Sequence, residues 1–269
     1  MTESWRANEA DIDALAAARH RDPFSFMGPH LTTQGWAIRA FAPDAVSVKV
    51  VTREGKPLAT LERRKNDFFE GLLPQKLEER PHYRLEVERT TGVTSYEDAY
   101  AFGPALGPLD DHLMIEGTHR ELYKRLGAQI TTHEGAGGVL FALWAPNASR
   151  VSVVGDFNSW DGRRCQMRKR YDSGLWEIFI PHVGAGTVYK YEVVSASGEL
   201  QPLKADPFGF EAEMRPSTAS IVSYTNDFAW SDGAYMRERA QGEWRRKPIS
   251  IYECHLGSWR HGEGGRWLS

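Results

Sequence analysis

Apolar positions recur along this chain in two rhythms, and the shorter one dominates. The first segment is helical: Asn8 can cap a helix running to about His20, with Ile12, Leu15 and Ala16 on one face. Pro23 and the Gly28-Pro29 pair end it. From Gln34 to Phe102 short apolar runs alternate with turn residues, as in Val46, Val48 and Val50 at period two, which predicts several half-buried strands. Residues 105–133 read as a helical connector: Thr118-x-x-Glu121 forms a capping box, Leu122 and Leu126 stand one turn apart, and Gly127 ends the helix. Period two returns after Gly137 and predicts strands near 139–145, 150–155, 175–181 and 187–194. Val139 to Trp144 and Leu175 to Ile180 are almost continuously apolar, as strands covered on both faces are. Residues 226–247, with Asp227, Trp230, Asp232 and Arg237, read as a polar linker with a short helical stretch. Pro248-Ile249-Ser250-Ile251-Tyr252 then predicts a new strand.

The strand pattern is repeated. Arg39-Ala40-Phe41-Ala42-Pro43-Asp44-Ala45 returns as Ala142-Leu143-Trp144-Ala145-Pro146-Asn147-Ala148, an offset of 103 positions (144 − 41), and Val48, Val50 and Val51 meet Val151, Val153 and Val154 at that offset. Tyr83 to Val87 matches Tyr189 to Val193, and Asp98 to Phe102 matches Asp206 to Phe210. Self-similarity over this length means two copies of one domain rather than a short-period solenoid. Short strands and turns at this spacing predict antiparallel β-sandwiches. The expected fold is therefore mainly β: two immunoglobulin-like β-sandwich modules in tandem. The expected organisation is an N-terminal helical segment (1–30), a first sandwich (31–104), the helical connector (105–133), a second sandwich (134–225), the linker (226–247) and a final segment (248–269).

Composition narrows the function classes. With 41% apolar and 26% charged residues, 269 residues suffice for two cores without staples. The net charge of −3 gives no field suited to nucleic acid or an anionic membrane. Neither a leader's apolar stretch nor a spanning run of about 20 apolar residues is present, so a soluble, cytoplasmic protein is expected. Cys165 and Cys254 read as unpaired thiols, with a single bridge as the alternative. The nine histidines form no metal-ligand spacing, and there is neither a nucleophile elbow nor a phosphate-cradling loop, so no metal or cofactor is expected.

The copies differ at one place. After Val154 comes Gly155-Asp156-Phe157-Asn158-Ser159-Trp160-Asp161-Gly162, a run of turn formers around one tryptophan; after Val51 stands Thr52-Arg53-Glu54-Gly55 instead. Trp160 either plugs its loop into the core or displays a flat, low-entropy platform for the C–H face of a sugar ring. If Tyr189 and Tyr191 point inward, Lys190 between them points to solvent, and Asn158 and Lys190 become candidate hydroxyl ligands beside Trp160. Trp176 reads as core. The basic stretch Arg163, Arg164, Arg168, Lys169 and Arg170, beside Tyr171, reads as a solvated hairpin face rather than a phosphate patch. Glu253 and His255 share a face of the last predicted strand and read as a satisfied core pair rather than an acid–base couple.

These residues carry a family resemblance. Gly138 to Ala148, Val151 to Asn158, Trp160 to Arg164, Gly174-Leu175-Trp176-Glu177, Tyr189-Lys190-Tyr191, Lys204 to Phe208 and Arg215 to Ser220 resemble bacterial glycogen branching enzymes. Ile249 to Trp259 resembles the first strand of that family's catalytic (β/α)₈ barrel, and Asp22-Pro23-Phe24 with Gly28-Pro29-His30 fits the extra N-terminal module of its long bacterial form. The resemblance implies a second sandwich of the glycogen-binding CBM48 type and a glycoside hydrolase family 13 enzyme. Such an enzyme cleaves an α-1,4 link and transfers the chain to a 6-hydroxyl, forming α-1,6 branches in glycogen. Its two carboxyl groups, about 5–5.5 Å apart in retaining chemistry, come from later barrel strands, so no catalytic residue carries over. The chain is expected to be inactive alone, with α-glucan as its partner and the barrel packing against its second sandwich. Leu200 stands where related modules have a second tryptophan. The alternatives are a stand-alone glycogen-binding or regulatory module, and part of a related debranching or trehalose-releasing hydrolase.

Overall fold

Fifteen short strands and four helices follow from this pattern in a computed structural model that describes residues 5–74, 77–170, 173–224 and 229–266. Tyr171 and Asp227 lie outside the described residues. The chain divides into two units, Met1–Thr225 and Asn226–Ser269.

The first unit opens with α1 (Glu9–Ala16), capped by the Asn8 side chain and burying Ile12 and Leu15 as the pattern predicts. Seven strands follow: β1 (Gly28–Thr32), β2 (Gly35–Phe41), β3 (Ser47–Val51), β4 (Pro57–Arg63), β5 (Phe68–Leu72), β6 (Arg84–Arg89) and β7 (Gly92–Glu97). They form one curled antiparallel sheet in the order β1-β2-β5-β4-β3-β6-β7. β4 makes the corner, pairing with β3 through Leu61 and with β5 through Glu62 and Arg63. The halves share a core of Trp36, Ile38, Val48, Val50, Phe69, Leu85 and Val87.

After α2 (Pro108–Glu116) the second copy contains β8 (Gly127–His133), β9 (Ala136–Trp144), β10 (Ala148–Gly155), β11 (Arg168–Arg170), β12 (Leu175–Pro181), β13 (Val188–Ser195), β14 (Glu211–Ala212) and β15 (Ser220–Ile221). Two sheets, β11-β12-β9-β8 and β10-β13-β15-β14, enclose Val139, Phe141, Val151, Val153, Trp176, Ile178, Tyr189 and Tyr191. Just before β11, Cys165 to Met167 bridge to β10 through Val153 N to Cys165 O (3.1 Å) and Met167 N to Val151 O (2.8 Å), a shorter link than β4 makes. The continuous apolar runs are explained: the other face of β9 and β12, with Leu140, Ala142, Leu175 and Phe179, is covered by Phe102, Leu106 and Leu126.

The repeat reaches further than the sequence pattern. In each copy a tyrosine at or just before the start of the sixth strand donates to a buried aspartate: Tyr83 to Asp98 (2.6 Å), and Tyr189 to Asp206 (2.7 Å) with Tyr191 joining at 2.9 Å. The aspartate's other oxygen accepts the N–H two residues on, from Tyr100 (3.0 Å) or Phe208 (2.8 Å). Against the carbonyl of that aromatic residue sits a left-handed glycine: a Cβ on Gly28 would lie 2.6 Å from Tyr100 O, and one on Gly127 would lie 2.7 Å from Phe208 O. A buried glutamate on β5 or β12 also recurs. Glu70 accepts the Ala7 N–H (2.8 Å) just before α1; Glu177 accepts those of Ala105 and Leu106 (both 2.9 Å) just before α2. Arg64 and Arg170 each bridge that glutamate to an acidic residue in the first half of the following helix, Glu9 or Asp111.

Four expectations are corrected. The connector helix lies at Pro108–Glu116, not after Thr118; Leu122–Lys124 is only a 3₁₀ turn, and Gly127 starts β8 instead of ending a helix. Pro108 at the first helical position and the left-handed Gly117 after the last turn decide the helix boundaries. Arg163 to Arg170 is not a solvated face. Arg168 lies 3.9 Å over the Phe24 ring and donates to Phe102 O (3.0 Å), Arg170 serves Asp111 and Glu177, and Lys169 reaches Ala148 O. In the second unit, described by itself, α3 (Gly233–Gln241) and α4 (Leu256–Trp259) form, but Ile249 to Tyr252 adopt no strand and Ile251 is 89% exposed. A strand is held by a ladder to its neighbour, and among the described residues none pairs with this segment. Glu253 and His255 are correspondingly exposed, 3.5 Å apart, not a core pair.

Burial pushes the Asp98 carboxyl from its ordinary 3.8 up to about 6, and burial likewise raises Asp206. The folded chain then holds the Asp98 proton more tightly than the unfolded chain. Its contribution to stability is full below pH 3.8 and is lost as pH rises through about 6. Urea unfolding of Asp98→Asn is expected to show a flatter pH dependence across that window than the parent chain; an equal slope would contradict the assignment.

Candidate functional site

The loop that distinguishes the second copy is built on backbone hydrogen bonds from one side chain. Asn158 is 3% exposed; its amide oxygen accepts the Gly155 N–H (3.0 Å) and its amide nitrogen donates to Val153 O (2.9 Å). These bonds close a tight turn in which Ser159 and Trp160 both take positive φ, an unusual conformation for non-glycine residues. Trp160 N returns to Gly155 O (2.9 Å), and Asp161 is held by the Arg163 N–H and guanidinium. Gly155 is required here because a Cβ would lie 2.5 Å from Val188 O.

Forced outward by this turn, Trp160 is 36% exposed, and its indole N–H donates to Asp156 Oδ1 at 2.8 Å. The ring is thereby fixed in orientation, while its N–H is spent within the loop rather than offered to a ligand. Tyr189 and Tyr191 are fully buried, and Lys190 between them is half-buried, with its Nζ 2.7 Å from Thr218 Oγ1. An ammonium has three protons to donate, so this bond leaves capacity for others. Gly155 pairs with Tyr189 and Val154 with Lys190, which brings Trp160 and Lys190 to the same end of the β10–β13 pair. Asn158, expected as a hydroxyl ligand, faces inward and shapes the loop instead; both ends of its amide are occupied by backbone. Asp156 and Thr218 escaped the sequence reading, although Asp156 stands only four positions before Trp160.

Other candidates resolve into structure. Trp176 is 1% exposed and donates to Ala145 O (3.0 Å). Leu200, where the family resemblance leads one to expect a second tryptophan, is 62% exposed. Both cysteines are unpaired, and burial pushes the Cys165 thiol up to about 11, so it is inert at neutral pH. Among the described residues no cluster of His, Cys, Asp and Glu could hold a metal ion, and no helix is long and apolar enough to cross a membrane.

Residues 8–100 match the family described as alpha-1,4-glucan branching enzyme GlgB, N-terminal domain, and residues 125–209 match carbohydrate-binding module 48 (isoamylase N-terminal domain). Curated 1,4-alpha-glucan branching enzymes GlgB align along nearly the whole chain. The protein from Paramagnetospirillum magneticum is 51% identical over 93% of this chain, that from Mesorhizobium japonicum 46% over 98%, and that from Pseudomonas aeruginosa 48% over 97%. This chain matches the N-terminal region of the branching-enzyme family. It covers 33%, 36% and 35% of those relatives, about a third of their length. A solved pullulanase from Klebsiella pneumoniae complexed with maltotriose aligns with 69% of this chain and 20% of its own at 16% identity; its TM-score of 0.32 is too low to carry an argument. Trp160 and Lys190 thus lie within the stretch matching the carbohydrate-binding module, and α1 and β1 to β7 within the stretch matching the branching-enzyme N-terminal domain.

Replacing Asn158 by Ala leaves the Gly155 N–H and the Val153 carbonyl buried without partners, at a cost of about 1–3 kcal/mol. Calorimetry is expected to register a fall of several degrees in Tm, and an unchanged Tm would remove Asn158 from its loop-shaping role.

Proposed function

We propose that this chain is the glucan-binding and glucan-positioning region of a 1,4-α-glucan branching enzyme of glycogen biosynthesis, with Trp160 as a sugar-stacking platform and Lys190 as its polar partner. The observation that carries the reading is an exposed indole locked in orientation by Asp156, inside the copy that matches a carbohydrate-binding module. A pre-oriented aromatic ring loses little entropy on stacking against a sugar face. Lys190 supplies donors for hydroxyl oxygens at the same sheet end. Asn158 enters the site through the loop it holds. The first copy, with Thr52 to Gly55 in place of the tryptophan loop, serves as support.

The reaction proposed for the whole enzyme is cleavage of an α-1,4 link and transfer of the freed chain to a 6-hydroxyl. Retaining glycosyl transfer needs two carboxyl groups facing a sugar. Glu70, Glu177, Asp98 and Asp206 are instead buried and committed to backbone, arginine or tyrosine partners. The 269 residues are therefore assigned recruitment and positioning, not bond breaking. Two unpaired thiols support a reducing, cytoplasmic setting.

Calorimetric titration with maltoheptaose is expected to find Trp160→Ala at least about tenfold weaker than the parent chain, with Lys190→Ala less affected. Equal affinity of parent and Trp160→Ala would remove the platform. In the same preparations the iodine–amylose spectrum is expected to stay constant with time; a progressive shift would overturn the assignment of chemistry elsewhere.

A further inference from the structure

The turn that displays Trp160 carries a carboxylate with an oxygen to spare. Asp156 is exposed, and its Oδ1 accepts the Trp160 indole N–H at 2.8 Å. An ionised carboxylate is acceptor-only, with two oxygens and about four lone-pair sites. Among the described residues no donor reaches Oδ2 and Asp156 forms no ion pair, so this acceptor is open to solvent.

The backbone restricts where that oxygen can be. Asp156 opens the 3₁₀ turn Asp156–Asn158 directly after Gly155, whose N–H is held by Asn158, and the Asp156 carbonyl accepts the Ser159 N–H at 3.2 Å. Main chain and Oδ1 are both anchored, so Oδ2 stays beside the edge of the indole. A glucosyl ring carries its ring hydroxyls equatorially. When its C–H face stacks on an aromatic platform, those hydroxyls point outward, past the platform's edge. A fixed acceptor there meets a hydroxyl without having to be ordered on binding. Hydrogen bonds to an ionised oxygen are also shorter and about twice as strong as neutral ones. Lys190, at the same end of the β10–β13 pair, offers only donors. Sugar hydroxyls both donate and accept, so an acceptor-only group and a donor-only group at one sheet end serve both capacities.

The first copy has neither half of this arrangement. At the repeat offset of 103 positions (156 − 53), Arg53 stands in the place of Asp156, and its guanidinium is spent on Glu97 at 2.7 Å. Ring and carboxylate thus occur together in one copy and are both missing from the matching loop of the other.

We propose that Asp156 is the hydroxyl-accepting ligand of the Trp160 site: Oδ1 sets the ring, and Oδ2 takes a hydrogen bond from a hydroxyl of the stacked glucosyl unit. This rests on the reading of Trp160 as a sugar platform and gives that platform its acceptor.

Asp156→Asn separates the two roles. The amide keeps an oxygen for the indole N–H and puts a donor in place of Oδ2, and asparagine suits such a turn as well as aspartate does. Maltoheptaose titration of the whole chain is read together with the Trp160 indole N–H resonance, identified by its loss in Trp160→Phe. Asp156→Asn is expected to leave that resonance in place while weakening binding about tenfold. Asp156→Ala is expected to displace the resonance and weaken binding further. In the parent chain the Asp156 carboxyl carbon resonance is expected to shift as maltoheptaose is added, and this decides the matter if Asp156→Asn disturbs the ring. Equal affinity of Asp156→Asn and parent, or a carboxyl resonance that stays put at saturation, overturns the ligand role and leaves Asp156 as support for the platform. A parent chain that binds no better than Trp160→Ala overturns the platform itself, and this proposal with it.

Discussion

The buried carboxylate of Glu177 is the constraint on which the first unit depends. It lies on a central strand of the second sandwich, accepts two backbone N–H groups of the segment leaving the first copy, and anchors Arg170, which in turn holds α2 through Asp111. Arg168, 3.8 Å from the same carboxylate, extends the network to Phe102 O and to the Phe24 ring of the first copy. Removing one partner of such a buried charge network costs about 3–5 kcal/mol, because the others are left uncompensated. With the copies held in one unit, β7 and the residues after β12 can border a common cleft.

The same device in the first copy, Glu70 with Ala7 and Arg64, shows that the duplication was of a larger piece than a sandwich. Helix, 3₁₀ turn, left-handed glycine, strands and buried tyrosine–aspartate pair all recur in order. Divergence is concentrated where packing permits it. The loop after β3 turns back directly, whereas the loop after β10 is lengthened around Asn158 and projects an indole. A surface platform could thus be added to one copy without disturbing either core.

The two copies are consequently less separable than two tandem modules suggest. Phe157 packs against the second core beside Phe141 and Tyr189, while its loop also meets the first copy, where Arg163 lies 5.4 Å from the Phe41 ring. Tyr100 of the first copy accepts the Gln166 N–H of the second at 2.9 Å. Rigid contacts of this kind keep a surface aromatic at a set position relative to the body of the protein, which suits a role in presenting a polymer.

What the sequence by itself determined was whatever depends on local periodicity and short-range chemistry. Alternating Val48 and Val50, the runs from Val139 and Leu175, the Asn8 cap and the polar loop around Trp160 were legible because each is stated by neighbours along the chain. The repeat was legible over the strands but not over α1 and α2, whose sequences differ while their anchoring does not. Only the tertiary structure decided where side chains spend their polar atoms. It turned Asn158 inward, drew Arg168 and Arg170 off the surface into the network around Glu177, and left Arg89 and Glu97 each with one buried, unmatched atom. It also left Ile249 to Tyr252 without a ladder. Hydrophobic patterning specifies which face is buried, but a hydrogen bond needs a partner brought close by the fold, and most of these partners lie forty or more residues away.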